Sequence, residues 1–390
     1  MGVAGVIAEF NPFHAGHKLH LSETREISGC RKIIAVISGN FVQRGEPALC
    51  DKWRRTRMAL LSGVDIVLEL PVPYVIAGAD YFARGSVGVL AATGVVDALS
   101  FGSESGDIAA INEAGRILAD EPLAYKNALR AGLNAGLSFA AARGDALKAC
   151  MNSVSDGLLT KPNNGLAIEY CKALRLIGDP MKVFTTHRRG GGPSATKIRR
   201  EFFDLSPGFS EFLSSEVAEI LYDSREKGEI VTLDDFSDVF RYLLFSGEIN
   251  MGEGLENRFR SALAGGRNNK ISELLAVVKT KRYTYTRLQR AVLGVILGVT
   301  TQDMKFYESS GGVQYIRVLG FRRESSKLLG EITKKATLPV ITNGAAVDEI
   351  LKSGNAAGKM LAKEIEAGDI YRLNFPSRYH SERGAEMVII

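Results

Sequence analysis

Cysteine is scarce in this chain of 390 residues: Cys30, Cys50, Cys150 and Cys171 stand far apart, with no Cys-x-x-Cys spacing. That argues against a zinc ribbon and against a disulfide framework, and it suits a reducing compartment, so a cytoplasmic protein is expected. Histidine is almost as rare, with only His14, His17, His20, His187 and His380. No cluster of histidine and cysteine is available to complete a coordination shell, so no metal site is expected. No apolar run is long enough to cross a bilayer, and membrane association is not expected. The opening Met1-Gly2-Val3-Ala4 has no basic flank before its apolar stretch, so it reads as the approach to a first strand rather than a signal peptide. Internal repeats and low-complexity tracts are also missing.

What is present is ordinary globular material. A hydrophobic fraction of 45% and a charged fraction of 24% are enough to build a core, and the length favours two domains. Net charge is +5, unevenly spread. Residues 251–350 hold 16 basic against 9 acidic side chains, while the remainder is slightly acidic. A basic back half behind a near-neutral front half suggests that the second part meets a polyanion.

The front half alternates strands and helices. Short apolar runs at Gly5–Phe10, Lys32–Ser38, Asp65–Leu70, Asp97–Gly102 and Lys182–Thr186 read as five strands. Helical spacing fills Asp51–Ser62 and Ala79–Ala92, and a last helix begins near Ala195. This rhythm predicts βαβ units and a parallel sheet. Beyond Pro207 helices dominate, at Ser214–Lys227, Leu255–Ala264, Ile271–Val278 and Thr286–Leu297. Strand-like runs interrupt them at Val313–Leu319 and Thr337–Thr342. A domain boundary is expected near residue 205, giving an α/β domain over 1–205 and a mostly helical, basic domain over 206–390.

The strongest chemical signal follows the first strand. Asn11-Pro12-Phe13 breaks the chain, and His14-Ala15-Gly16-His17 opens a helix. Open α/β sheets bind ligands at the carboxyl ends of their strands, and a helix start offers unpaired N–H groups to phosphate. His14 and His17, three residues apart, share one side of that first turn. They can donate to charge that grows as pyrophosphate departs. Gly16 would let a nucleotide lie against the backbone.

Ile7-Ala8-Glu9-Phe10-Asn11-Pro12-Phe13-His14-Ala15-Gly16-His17 resembles the HxGH signature of the nucleotidyltransferase superfamily, related to the class I aminoacyl-tRNA synthetases. The wider resemblance is to the bacterial tRNA(Met) cytidine acetate ligases. It is carried in order by Ser38–Pro47, Asp51-Lys52-Trp53, Asp65–Pro71, Phe101-Gly102-Ser103-Glu104, Lys161–Asn164, Ser194–Arg199, Lys279–Thr284 and Arg317–Phe321. The resemblance implies a Rossmann-like sheet domain and an enzyme that activates acetate with ATP and its Mg²⁺. The acetyl group would pass to N4 of the wobble cytidine of elongator tRNA(Met). The implied ATP site runs from Ile7 through Lys18, Leu19 and His20, and adds Gly102, Asn163 or Asn164, and Arg188. The chain departs from the family after Gly190-Gly191-Gly192, where a Tyr-His-Asp-like segment is usual, and carries Ala15 where Asn is frequent.

The residues support parts of this independently. Gly102 closes the fourth strand on the ligand side, Arg188 ends the fifth, and a guanidinium there can fork onto phosphate. Ser194 and Thr196 begin a second helix that could grip phosphates. The loop carrying Asn40, Gln43, Arg44 and Lys52 could frame the carboxylate or the RNA. In the back half, Lys279, Lys281, Arg282, Tyr283, Tyr285 and Arg287 interleave cations with aromatics, a pattern suited to phosphates and unpaired bases. Two other readings compete: a transferase building a small nucleotide coenzyme, and a non-catalytic nucleotide- and RNA-binding protein. The basic back half argues against the first, and intact His14, Gly16 and His17 against the second. No protein partner is inferred.

Overall fold

The computed structural model describes residues 2–154, 157–188, 194–246, 249, 251–252, 254–265, 270–280, 283–377 and 380–390. Gly190 to Gly192, Lys281 and Arg282 lie outside the described residues. The chain opens with β1 (Val3–Ala8), α1 (Ala15–Ser28), β2 (Lys32–Ser38) and a small hairpin of β3 (Phe41–Val42) and β4 (Glu46–Pro47). Next come α2 (Lys52–Leu61), β5 (Ile66–Leu70), α3 (Val72–Val75), α4 (Ala79–Ala92) and β6 (Ala98–Ser103). Four helices, α5 (Ile108–Asp120), α6 (Leu123–Asn134), α7 (Phe139–Cys150) and α8 (Pro162–Leu176), precede β7 (Lys182–His187) and α9 (Ala195–Phe203).

The back half runs through α10 (Ser215–Glu226), α11 (Ser237–Ser246), α12 (Leu255–Ala264), α13 (Ile271–Val278), α14 (Tyr285–Ile296) and α15 (Thr301–Ser309). It finishes with β8 (Ile316–Phe321), α16 (Ser326–Lys335), β9 (Val340–Ile341), α17 (Gly344–Ser353), α18 (Ala356–Arg372) and β10 (Val388–Ile389). Among the described residues, no helix is long and apolar enough to cross a membrane.

The central strands are near-continuous apolar runs because both of their faces are covered. Side chains alternate across the sheet. Ile33, Ala35 and Ile37 of β2 pack in one core with Leu21, Met58 and Leu60 of α1 and α2. Ile34 and Val36 join the other core, with Val87 and Leu90 of α4. The strands follow the order β10-β8-β5-β2-β1-β6-β7. From β1 the chain moves to β2 and β5 on one side, then returns to place β6 and β7 on the other. The order therefore reverses between β1 and β6, which opens a ligand crevice at their carboxyl ends.

All five expected strands of the front half form, and those from β5 to β7 are mutually parallel. Two features differ from the sequence reading. First, the strands of the back half do not belong to a separate layer: β8 pairs antiparallel with β5, and β9 and β10 pair parallel with β8. The sheet is mixed and draws strands from both sides of residue 205. Second, the strand expected at Val313–Leu319 begins later, at Ile316. Its partner β5 sets that register, with Glu69 opposite Arg317.

Candidate functional site

The loop after β1 folds His14 over the start of α1 as its N-cap. The Nδ1 of His14 accepts from Gly16 N–H at 3.0 Å, and the Nδ1 of His17 accepts from His14 N–H at 3.2 Å. This is the reciprocal logic of a capping box, written with two imidazoles. The two rings stack with centroids 3.8 Å apart. A side chain at Gly16 would collide with His14, its Cβ falling 2.9 Å from Cε1. The glycine is therefore required by the histidine cap itself, beyond any room it leaves for a ligand.

The caps settle the tautomers. Both Nδ1 lone pairs are engaged by backbone N–H groups, so a neutral ring must carry its proton on Nε2. Among the described residues no acceptor takes either Nε2 proton. Burial, then the nearby Arg188 charge, lowers His14 to about 4. Burial lowers His17 as well, with His14, Arg188 and His20 adding to it. His20 is likewise lowered by burial to about 4, and its Nδ1 pairs with Thr186 Oγ1 at 2.8 Å. Three neutral imidazoles thus sit beside one guanidinium and the positive end of a helix. The arrangement attracts an anion, and the Nε2–H groups can donate to it. An unfolded chain would protonate these rings near pH ~6.5. Their contribution to stability is therefore full above that value and is lost as pH falls toward about 4.

Arg188 is positioned by a residue that the sequence reading gave no role. Glu104, just past β6, accepts from Asn163 Nδ2 at 2.6 Å, Asn163 N at 3.2 Å and Asn164 N at 2.8 Å. Asn163 Oδ1 in turn accepts from Arg188 Nη1 at 2.8 Å. Asn164 faces the other way, its Oδ1 taking the N–H groups of Glu104 and Ser105 at 2.8 and 3.1 Å. Neither asparagine caps α8; that place belongs to Lys161. The Arg188 stem lies over Gly102, with Cγ 3.1 Å from where a Cβ would stand. Glu104 follows Gly102 within the quoted Phe101–Glu104 motif, and its acid beside the strand end was the available signal.

Ser194 caps α9 through Lys197 N at 3.1 Å, and Thr196 is exposed in its first turn. Arg199 of α9 donates from Nη1 to Asn11 O at 2.8 Å, tying that helix to the loop before His14. Glu9 accepts from Gln43 N at 2.7 Å, and burial raises its carboxyl despite Arg44, Arg55 and Arg199 nearby. The crevice therefore gathers the loop Ile7–His20, Gly102, Asn163 and Arg188, with α9 attached beside it.

Other expectations are corrected. Lys52 is not available to a carboxylate substrate or to RNA, because it is fully buried. Its Nζ contacts Glu69, lies 2.9 Å from Glu382 and 3.1 Å from Glu364. Arg317 completes the cluster, 3.2 Å from Glu69 and 3.4 Å from Glu382. Burial alone would lower the Lys52 amine, but the three carboxylates outweigh it and raise it. Arg55 is buried too and bonds the carbonyls of Glu9, Ser38, Gly39 and Cys50. Tyr283 is 2% exposed and packs in the core, with Arg287 5.2 Å from its ring centre, so it cannot stack on a base. Tyr285, Lys279 and Arg287 are exposed. Tyr285 and Arg287 lie in the first turn of α14 and Lys279 precedes it. α14 bonds the β3–β4 hairpin through Gln289 to Glu46 at 2.8 Å and Arg290 to Gln43 O at 3.4 Å.

The chain matches a family described as HIGH Nucleotidyl Transferase over residues 1–386. It is similar to a protein named tRNA(Met) cytidine acetate ligase from Thermoanaerobacter sp. (strain X514), at 40% identity over 96% of each chain. A protein of the same name from Acetivibrio thermocellus is 37% identical over 99% of this chain and 98% of its own. Among solved structures, Thermotoga maritima TmcAL in its apo form superposes with a TM-score of 0.90, at 34% identity over 100% of this chain and 99% of its own. The same protein bound with alpha-thio ATP gives a TM-score of 0.88 at 35% identity, covering 97% and 95%.

Proposed function

The chain belongs to the HIGH nucleotidyl transferase family and to its tRNA(Met) cytidine acetate ligase branch, and from that premise we propose that it forms acetyl-adenylate from acetate and ATP and acetylates N4 of the wobble cytidine in elongator tRNA(Met). The observation that carries the reading is the pair of neutral imidazoles at the start of α1, with unclaimed Nε2 protons beside Arg188, in the crevice where the strand order reverses.

ATP enters as its Mg²⁺ complex, the metal arriving with the triphosphate. An acetate oxygen attacks the α-phosphorus, the bond to the β-phosphate bridging oxygen breaks, and pyrophosphate leaves. His14 and His17 donate from Nε2 to the oxygens on which charge grows, and Arg188 offsets the triphosphate. The α9 start, with Ser194 and Thr196, supports the outer phosphates. Cytidine N4 then attacks the acetyl carbon, the carbon–oxygen bond to AMP breaks, AMP leaves, and the N4 proton passes to solvent. Positioning and preorganised dipoles suffice for both steps, so no side-chain base is assigned. Isotope exchange of pyrophosphate into ATP tests the first step. It should require acetate and proceed without tRNA, and acetate-independent exchange would overturn the assignment.

Arg188→Ala is expected to weaken binding of a non-hydrolysable ATP analogue about tenfold or more, the scale of one charge-assisted hydrogen bond. Calorimetric titration measures this directly, and equal affinity in variant and parent removes Arg188 from the site. Lys279, Tyr285 and Arg287 are proposed to meet the tRNA near the hairpin. The double variant Lys279→Ala, Arg287→Ala should flatten the dependence of log affinity on log salt by roughly one unit or more, at ~0.7–0.9 per phosphate contact. Fluorescence anisotropy with labelled tRNA across a salt series reads the slope. An unchanged slope places the RNA surface elsewhere.

A further inference from the structure

If cytidine N4 attacks an acyl-adenylate held at the α1 loop, its base must leave the RNA stack and lie beside that loop. A cavity of about 260 Å³ lies between β4, residues 231–234, α9 and the start of α14, and two of its wall residues, Leu49 and Arg199, bond Asn11 of that loop. That volume falls below the ~300–1,000 Å³ typical of drug-sized ligands, so it suits one ring system rather than a nucleoside triphosphate. Two aromatic side chains line it from different elements: Phe203 of α9, 48% exposed, and Tyr285 of α14, 37% exposed. Leu49 adds a buried apolar wall.

The polar lining is Glu46, Arg199, Thr232, Asp234, Ser272 and Gln289. Asp234 already accepts from Ser272 N at 2.8 Å and Ser272 Oγ at 2.7 Å, and Glu46 and Arg199 connect the lining to the loop. Glu46 Oε1 accepts from Gln289 Nε2 at 2.8 Å, and its Oε2 lies 4.0 Å from Arg199 Nη2. The other arm of Arg199 holds Asn11 O at 2.8 Å, and Leu49 N donates to Asn11 Oδ1 at 2.8 Å. The cavity wall and the nucleotide loop thus share Asn11, three residues before His14. A cytosine ring offers flat apolar faces, an exocyclic amine that donates, and ring acceptors at N3 and O2. The cavity offers aromatic rings, the Glu46 carboxylate as an acceptor beside an Asp234 already held by Ser272, and guanidinium and amide groups that donate.

Resting on the acetyl-transfer reading, we propose that this cavity is the seat of the target cytosine. Phe203 and Tyr285 stack on the unpaired base, Glu46 accepts from its exocyclic amine, and Arg199 donates to its ring edge. Uracil presents a carbonyl where cytosine has the amine, so Glu46 disfavours it by leaving two acceptors face to face.

The test uses the full-length protein and an anticodon stem–loop RNA carrying pyrrolocytidine, a fluorescent cytidine quenched by stacking, at the target position. Binding should quench the fluorophore, and Phe203→Leu and Tyr285→Leu, on two different elements, should each remove most of the quenching. Acetylation of the unlabelled stem–loop should fall at least tenfold in each. Glu46→Gln should narrow the preference for cytidine over uridine in competing stem–loops. Thermal melts of each variant identify any loss of folding. No quenching by the wild-type protein, or quenching and acetylation unchanged in both folded leucine variants, overturns the proposal. Quenching that depends on both rings supports it even where the wild-type protein acetylates nothing, and that second outcome overturns the acetyl-transfer reading alone.

Discussion

His14→Ala and His17→Ala should each lower acetate-dependent ATP–pyrophosphate exchange by about 10²–10³-fold, the scale for removing one preorganised donor from developing charge. The double variant should lose less than the product of the two, because the rings stack and share one ligand. His14 also caps α1, so His14→Ala carries a stability cost of about 1 kcal/mol that must be separated from chemistry. His14→Asn makes the separation, since asparagine restores a capping oxygen without an imidazole Nε2–H. It should melt near the parent temperature and remain as inactive as the alanine variant. Recovery of exchange in His14→Asn would show that the histidine serves the helix and not the reaction.

The same rings predict a pH profile. His14 and His20 are held near 4, and His17 is lowered with them, because burial and Arg188 disfavour a second positive charge. The imidazoles therefore donate as neutral groups and should add no ionisation to exchange between about pH 6 and 8. An acidic limb near pH ~6.5 that vanishes in His17→Ala would mean that they act as acids instead.

Lys52→Met should destabilise the protein by about 3–5 kcal/mol, the range for removing one partner of a buried ion cluster. Lys52 contacts Glu69, Glu364 and Glu382, all buried, and Arg317 is the second cation wholly within the cluster. Without the amine, burial and the crowding of three carboxylates force protonation or local opening. The cluster already leans that way: burial, then Glu69, raises the Glu364 carboxyl, while Lys52 and Arg317 outweigh burial and hold Glu69 low. A carboxyl raised on folding binds a proton more tightly than it does unfolded. Its stabilising share is thus present at acid pH and is lost as pH rises. Urea midpoints at pH 6 and pH 8 should fall more steeply with pH in the parent than in Glu364→Gln. Equal midpoints for Lys52→Met and parent would show that the cluster contributes nothing to holding β8 and α18 against the front half.

Much of the crevice was legible because its logic is local. An apolar strand, a proline break and a histidine pair at a helix start lie within fifteen residues, and their roles follow from strand period, helix capping and unpaired N–H groups. The alternation of strands and helices likewise announced a parallel sheet and placed Gly102 and Arg188 at strand ends. Glu104 was visible as a residue but not as a function, since its three bonds reach Asn163 and Asn164 some sixty positions away.

The sequence by itself determined the strand–loop–helix motif, the five strands of the front half with their parallel sheet, and the basic character of the back half. Only the tertiary structure decided where β8 and β10 pair, and which cations face water. Lys52 reads as a loop lysine until Glu364, 312 positions later, is folded against it. Tyr283 reads as an exposed aromatic in a cationic run until the core closes over it. Periodicity and capping depend on neighbours a few residues apart, so a sequence carries them openly. The burial of a charge or a ring depends on partners that chain order does not name, and these become neighbours only when the sheet is complete.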